Sequence, residues 1–161
     1  MTPTTEPLAR LLDEQLAALH RFVALLEDER RALLSNAIDA LGALAEAKSR
    51  SAAEIERFAP RCRDLFARAG LAPGTAAVDA LAQRAGERGR VLAGGWEALQ
   101  GVARKARRLN HENGLLLAQL RGHNERLLDG LRAAAGAPRA VYGPDGRSVG
   151  DAPAGSVLLV A

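Results

Sequence analysis

Apolar residues recur along most of this chain at the spacing of one helical face. Leu12, Leu19, Leu26 and Leu33 stand seven residues apart. Leu8 and Phe22 fill intermediate positions, and Leu16 and Val23 widen the stripe. This pattern predicts a first helix that lays one face on a partner helix. Thr5 suits its N-cap and Pro7 its first turn, so the helix should start near Thr5 or Glu6.

A second segment has its own register. Ile38, Ala45, Ala52, Ala59 and Phe66 form one seven-residue series. Leu41, Ile55, Cys62 and Ala69 form the other, with Lys48 as its polar intruder. The two segments do not join smoothly at Ser35-Asn36, because the apolar series steps five residues from Leu33 to Ile38. A break there has Asn36 capping a new helix, with Asp39 three residues on. One continuous helix with a phase shift is the other reading. Pro60 should kink or divide the segment, since it lacks an N–H and crowds the preceding turn.

Gly70-Leu71-Ala72-Pro73-Gly74 is the clearest turn, with Gly70 suited to a left-handed helix cap. Helical pattern resumes at Ala76 and runs to about Ala135. Gly86, Gly89 and Gly94-Gly95 predict that its early part is loosely wound or broken. From Leu92 the predicted seam is Leu92, Trp96, Leu99, Ala103, Ala106, Asn110, Asn113, Leu117, Leu120, Asn124, Leu127, Leu131 and Ala134. Gly136-Ala137-Pro138 ends it, which divides the chain into a helical domain, 1–136, and a tail, 137–161. In the tail, Val141-Tyr142 and Val157–Val160 read as short strands, and Pro144-Asp145-Gly146 as a β-turn. The expected fold is all-α: an elongated antiparallel bundle of three or four long helices, packed like a coiled coil, with a short flexible or hairpin tail.

Composition supports this. Apolar residues make up 48% of the 161 residues, yet aromatics only 3%, which suits long helices and not a β-sandwich. The net charge of +3 is mild and does not call for a nucleic-acid partner. The N-terminus has no basic start followed by an apolar stretch, so no secretory signal is expected. No apolar run is long enough to span a membrane, and the expected location is the cytoplasm. Cys62 is the single cysteine, which excludes an internal disulfide. Its place between Ala59 and Phe66 suits a small buried hydrophobe, although Arg61 and Arg63 would activate an exposed thiol.

Catalytic constellations are missing from the pattern. His20, His111 and His123 are too scattered to share a site along one helix, and no metal-ligand spacing or phosphate-cradling loop occurs. Neither a metal nor a cofactor is expected, nor an enzymatic activity. Arg104-Lys105-Ala106-Arg107-Arg108 is the densest basic run; it reads as a solvated helix face or as a phosphate contact.

The most distinctive stretch is Asn110-His111-Glu112-Asn113-Gly114-Leu115-Leu116. Two asparagines and a glycine are poor helix formers, yet the apolar spacing continues on both sides. The asparagines read either as register-setting polar groups inside a bundle or as contacts to a bound helix. Leu115-Leu116-Leu117 and Leu127-Leu128 cover a wider arc than one partner helix needs. They belong either to a multi-helix core or to a groove for a client helix. Further on comes Val141-Tyr142-Gly143-Pro144-Asp145-Gly146.

A helical chain with N-x-x-N-G-L-L, more helix, and then Y-G-P-D-G resembles the FlgN family of flagellar type III export chaperones. The resemblance implies a non-enzymatic chaperone whose clients are the hook–filament junction proteins FlgK and FlgL. It would cover their aggregation-prone terminal helices and deliver them to the export gate. It further implies a client surface at Asn110, Asn113, Gly114, Leu117, Leu120, Asn124, Leu127 and Leu131. Tyr142 and Gly143 become candidates for contact with the gate. Two other readings stay open: a structural coiled coil that homodimerises through the same seams, and a small nucleic-acid-binding protein using Arg104–Arg108.

Overall fold

The structure, a computed structural model, describes residues 5–135 and the backbone of two short strands, 141–142 and 148–149. Five helices run in the order α1 (Thr5–Leu34), α2 (Ile38–Glu56), α3 (Phe58–Arg68), α4 (Thr75–Ala85) and α5 (Glu87–Ala134). The strands are β1 (Val141–Tyr142) and β2 (Ser148–Val149). With α2 and α3 taken as one broken helix, the count is four, within the three or four expected. The chain divides into two compact units, residues 1–117 and 118–161.

In the first unit, α1 is the central element. Leu8, Leu12, Leu19, Leu26 and Leu33 are all buried, so the seven-residue series marks its packing face as expected. The α1 helix ends in a Schellman turn. Asn36 takes a left-handed φ of 54°. Its N–H donates to the Leu33 carbonyl, and that of Ala37 donates to the Ala32 carbonyl. The expected break is there, but Asn36 does not cap the second helix. It closes the first, and Ala37 precedes α2 without a side-chain cap. Gly70 (φ +68°) closes α3 the same way, with Leu71 N–H donating to the Phe66 carbonyl.

α2 and α3 return antiparallel to α1. Glu29 pairs with Lys48, Arg21 with Glu54 and Glu14 with Arg61, so numbers fall on one side as they rise on the other. The division falls at Arg57, between α2 and α3. Pro60 occupies the first turn of α3, where its missing N–H costs nothing and its ring forbids the preceding helix from continuing. Of the two expected seams, the one through Leu41, Lys48, Ile55, Cys62 and Ala69 faces inward, and each of these residues is half-buried. The other does not hold: Ile38, Ala45 and Ala59 are exposed, and only Phe66, past the Pro60 break, is buried. Lys48 is tolerated on the inner face because its ammonium meets Glu29 at 2.6 Å.

The glycine-rich stretch breaks at one glycine. Gly86 (φ +60°) reverses the chain between α4 and α5, whereas Gly89, Gly94 and Gly95 lie inside α5. α4 folds back on α5. Trp96 Nε1 and Gln100 Nε2 both donate to Thr75 Oγ1, at 3.3 and 3.2 Å. Two reversals separate α1 from α5, so these two run in the same direction, with Glu27 against Lys105 and Arg30 against Glu112. The main core gathers Leu8, Leu12, Leu19, Phe66, Val78, Leu81, Leu92 and Leu99 from all of these helices except α2. A second cluster joins Val23 and Leu26 to Ala106 and Leu109.

The second unit holds the C-terminal part of α5 and the β1–β2 hairpin. The strands pair antiparallel, Val141 with Val149 and Tyr142 with Ser148. They flank Pro144-Asp145-Gly146 in sequence, where a turn was expected. The helix end at Gly136-Ala137-Pro138, Gly143 and the Val157–Val160 strand lie outside the described residues, as do Met1–Thr4.

Candidate functional site

The Asn-rich stretch lies wholly within α5, which passes through it without interruption. Asn113 is 2% exposed and turned into the first unit. Its Nδ2 donates to the Leu26 carbonyl at 2.8 Å and to Glu29 Oε2 at 2.9 Å, both on α1. Asn110 points to solvent instead, and Leu109 takes the inward position expected of it. The heptad explains this. Leu92, Leu99, Ala106 and Asn113 are the buried seven-residue series of α5, and Leu109 lies one turn before Asn113. Gly114 is exposed, and a Cβ there would meet nothing within 4 Å, so no close approach demands a glycine.

Beyond Asn113 no residue of α5 is buried. The same stripe nevertheless continues with Leu117, Leu120, Asn124, Leu127 and Leu131 at helical spacings of three and four. Leu117 and Leu120 are half-buried, Asn124 is exposed, and Leu127 and Leu131 are 54% and 66% exposed. Leu115 and Leu128, noted in sequence only as part of a wide apolar arc, are exposed as well. Among the polar groups here, Arg126 Nε donates to its own helix at the Gly122 carbonyl, and Arg132 pairs with Asp129. The leucines therefore form an apolar strip edged by charges that are partly satisfied within the helix. Of the expected client residues, Asn113 is buried in the first unit, and Leu120, Asn124, Leu127 and Leu131 follow along α5 in the second. Tyr142 falls in β1, its side chain outside the described residues.

The other candidates resolve simply. Cys62 is half-buried, and burial pushes its thiol up, against the smaller opposite pull of Arg61. A raised thiol carries little thiolate, which fits a packing role. His20, His111 and His123 are exposed, and among the described residues no group of three potential metal ligands comes together. In the basic run, Lys105 pairs with Glu27 at 2.7 Å, Arg108 lies 3.8 Å from Glu112, and Ala106 is buried against α1. Half of that charge is thus directed at the protein's own carboxylates. No described helix is long and apolar enough to cross a membrane.

Comparison with known proteins gives one result. No curated protein and no solved structure matches the chain. The family model described as FlgN protein matches residues 1–150, nearly the whole sequence. By that match this chain belongs to the FlgN family of flagellar export chaperones.

Proposed function

We propose that this chain captures hook–filament junction proteins, FlgK-like and FlgL-like, in the cytoplasm and delivers them to the type III export gate. The capture surface is the α5 strip through Leu117, Leu120, Leu127 and Leu131, with Leu115 and Leu128 at its margins and Asn110, Gly114 and Asn124 as its polar and small members. The supporting observation is that the stripe which forms core up to Asn113 continues as leucines of which none is buried. An amphipathic client helix laid along it would complete the seam as a partner helix does elsewhere in the bundle.

The mechanism is mass action. Binding to the unassembled client lowers the free concentration of its adhesive helix and draws it away from aggregation. Each fully covered leucine contributes about 2 kcal/mol, so a strip of a few leucines binds usefully and still releases. The function asks for binding alone and uses no bond-making chemistry, metal or cofactor. Tyr142 and Gly143 are proposed to meet the gate, on the strength of the family pattern and of an aromatic at the start of a β-hairpin. In this reading the helical part, 1–136, carries the client and the tail, 137–161, addresses the gate.

Titration of the purified chain with purified junction protein, followed by sedimentation, tests the reading. The expected result is a complex with the client that leaves the free chaperone monomeric at the same concentration. Self-association in place of client binding would favour a second copy of the chain as the occupant of the strip. Association only with nucleic acid, weakening steeply with salt, would favour the basic run.

A further inference from the structure

We propose that Asn113, Glu29 and Lys48 form a polar clasp that sets the register of α5 against α1 and α2. The two Nδ2 bonds of Asn113 end on the Leu26 carbonyl and on Glu29 Oε2. The other oxygen of Glu29 accepts from Lys48 Nζ at 2.6 Å. The side chains of Glu29 and Lys48 are only 12% and 27% exposed. One asparagine and one carboxylate thereby tie three helices together at a single level, at the last buried position of α5.

The seam itself creates the need. Leu12, Leu19, Leu26 and Leu33 of α1 repeat every seven residues, and so do Leu92, Leu99 and Ala106 of α5, followed by Asn113, Leu120 and Leu127. Sliding α5 by seven residues toward the start of α1 puts Leu99, Ala106 and Leu120 where Leu92, Leu99 and Asn113 now stand. Along this buried series apolar meets apolar except at Asn113, which would enter the present place of Ala106 beside Val23. There it would lack the Glu29 acceptor, and Glu29 would face a leucine. In the present register the Asn113 amide nitrogen is paired while its Oδ1 is buried without a partner. In the slipped one the nitrogen loses Glu29 as well. Because an unpaired buried group is penalised more than a paired one is rewarded, the clasp discriminates between the two registers of this series. The flanking ion pairs, Glu27–Lys105 and Arg30–Glu112, are too exposed to decide the matter.

Distance measurement between spin labels at the exposed positions His20 on α1 and His111 on α5, in a Cys62→Ser background, reads the register directly. The parent should give one narrow distance. Asn113→Leu should add a second population shorter by about 3–5 Å, because seven residues of helix rise about 10 Å along the axis while the helices stay about 10 Å apart. Moving the asparagine one heptad on, in Asn113→Leu/Leu120→Asn, should transfer most molecules to the shorter distance with helical content unchanged. If Asn113→Leu does not fold, Asn113→Ala is read in the same way. A single parental distance in the folded variants would overturn the proposal and leave the register to the Gly86 turn and the core. The distances need no client, so their failure leaves the chaperone reading untouched.

Discussion

Gly89 of α5 lies so close to Ala82 of α4 that a Cβ on the glycine would sit 1.8 Å from the Ala82 carbonyl oxygen. The obstacle is backbone, so it cannot swing aside. The Gly86 reversal therefore folds into a hairpin whose helices touch main chain to main chain at its base. Gly89→Ala should lower stability by about 1–3 kcal/mol, overpacking outweighing the gain in helix propensity. Gly94→Ala and Gly95→Ala, where a Cβ meets nothing within 4 Å, should instead gain up to about 1 kcal/mol. Urea unfolding of the three variants checks the contrast; equal shifts would deny the close approach.

Asn36 holds a left-handed backbone at the end of α1. Asn36→Gly should keep or slightly raise stability, and Asn36→Val should lose about 1–2 kcal/mol, since a β-branched residue resists positive φ. Thermal melts distinguish this from an N-cap role, in which Asn36→Ser would be neutral and would behave no worse than Asn36→Gly.

Much of this was legible in the sequence where one physical signal acts alone. The α1 seam is such a case: leucines at heptad spacing, each of them buried. Legibility fails where one residue type serves two purposes. Asn36 suits both a helix start and a left-handed helix end, and the five-residue step located the break without saying which. Lys48 looked foreign on an inner face because its partner, Glu29, lies on another helix. Of four nearby glycines only Gly86 turns the chain, and φ is not written in composition. In the candidate site the apolar strip could be read from spacing, but the exposure of Leu127 and Leu131 could not. That depends on which helix faces lie against α5, as does the assignment of Asn113 to the interior and Asn110 to solvent.

The Glu27–Lys105 pair predicts a pH effect of definite sign. The hydrogen bond and charge of Lys105 hold the Glu27 carboxyl below its usual range. A carboxylate depressed by folding adds stability at neutral pH, and that contribution disappears as pH falls through the lowered folded pKa. Lys105→Met should return Glu27 to the ordinary carboxylate range in an NMR titration and remove that acid-side dependence. Both side chains are exposed, so the stability change should be small and should vanish at high salt. An unchanged Glu27 titration would contradict the pairing.

Tyr142→Ala should leave the melting temperature and client affinity unchanged while reducing export. Deleting residues 139–161 should likewise leave helical circular dichroism nearly intact, because the helices end at Ala134. A swarming assay run beside a client titration checks the first, and a thermal melt the second. If client binding falls as far as export does, the separate gate role is wrong.

The α5 strip is proposed to face a client and not the protein's own core. Leu127→Glu/Leu131→Glu measures it most directly, because both side chains are more than half exposed in the free protein. Calorimetric titration with junction protein should show affinity weakened by several kcal/mol, as covered leucines are exchanged for carboxylates that a client helix would bury. The melting temperature of the free variant should stay at the parental value, as surface substitutions do. Parental client affinity with parental stability would move the client site off this strip.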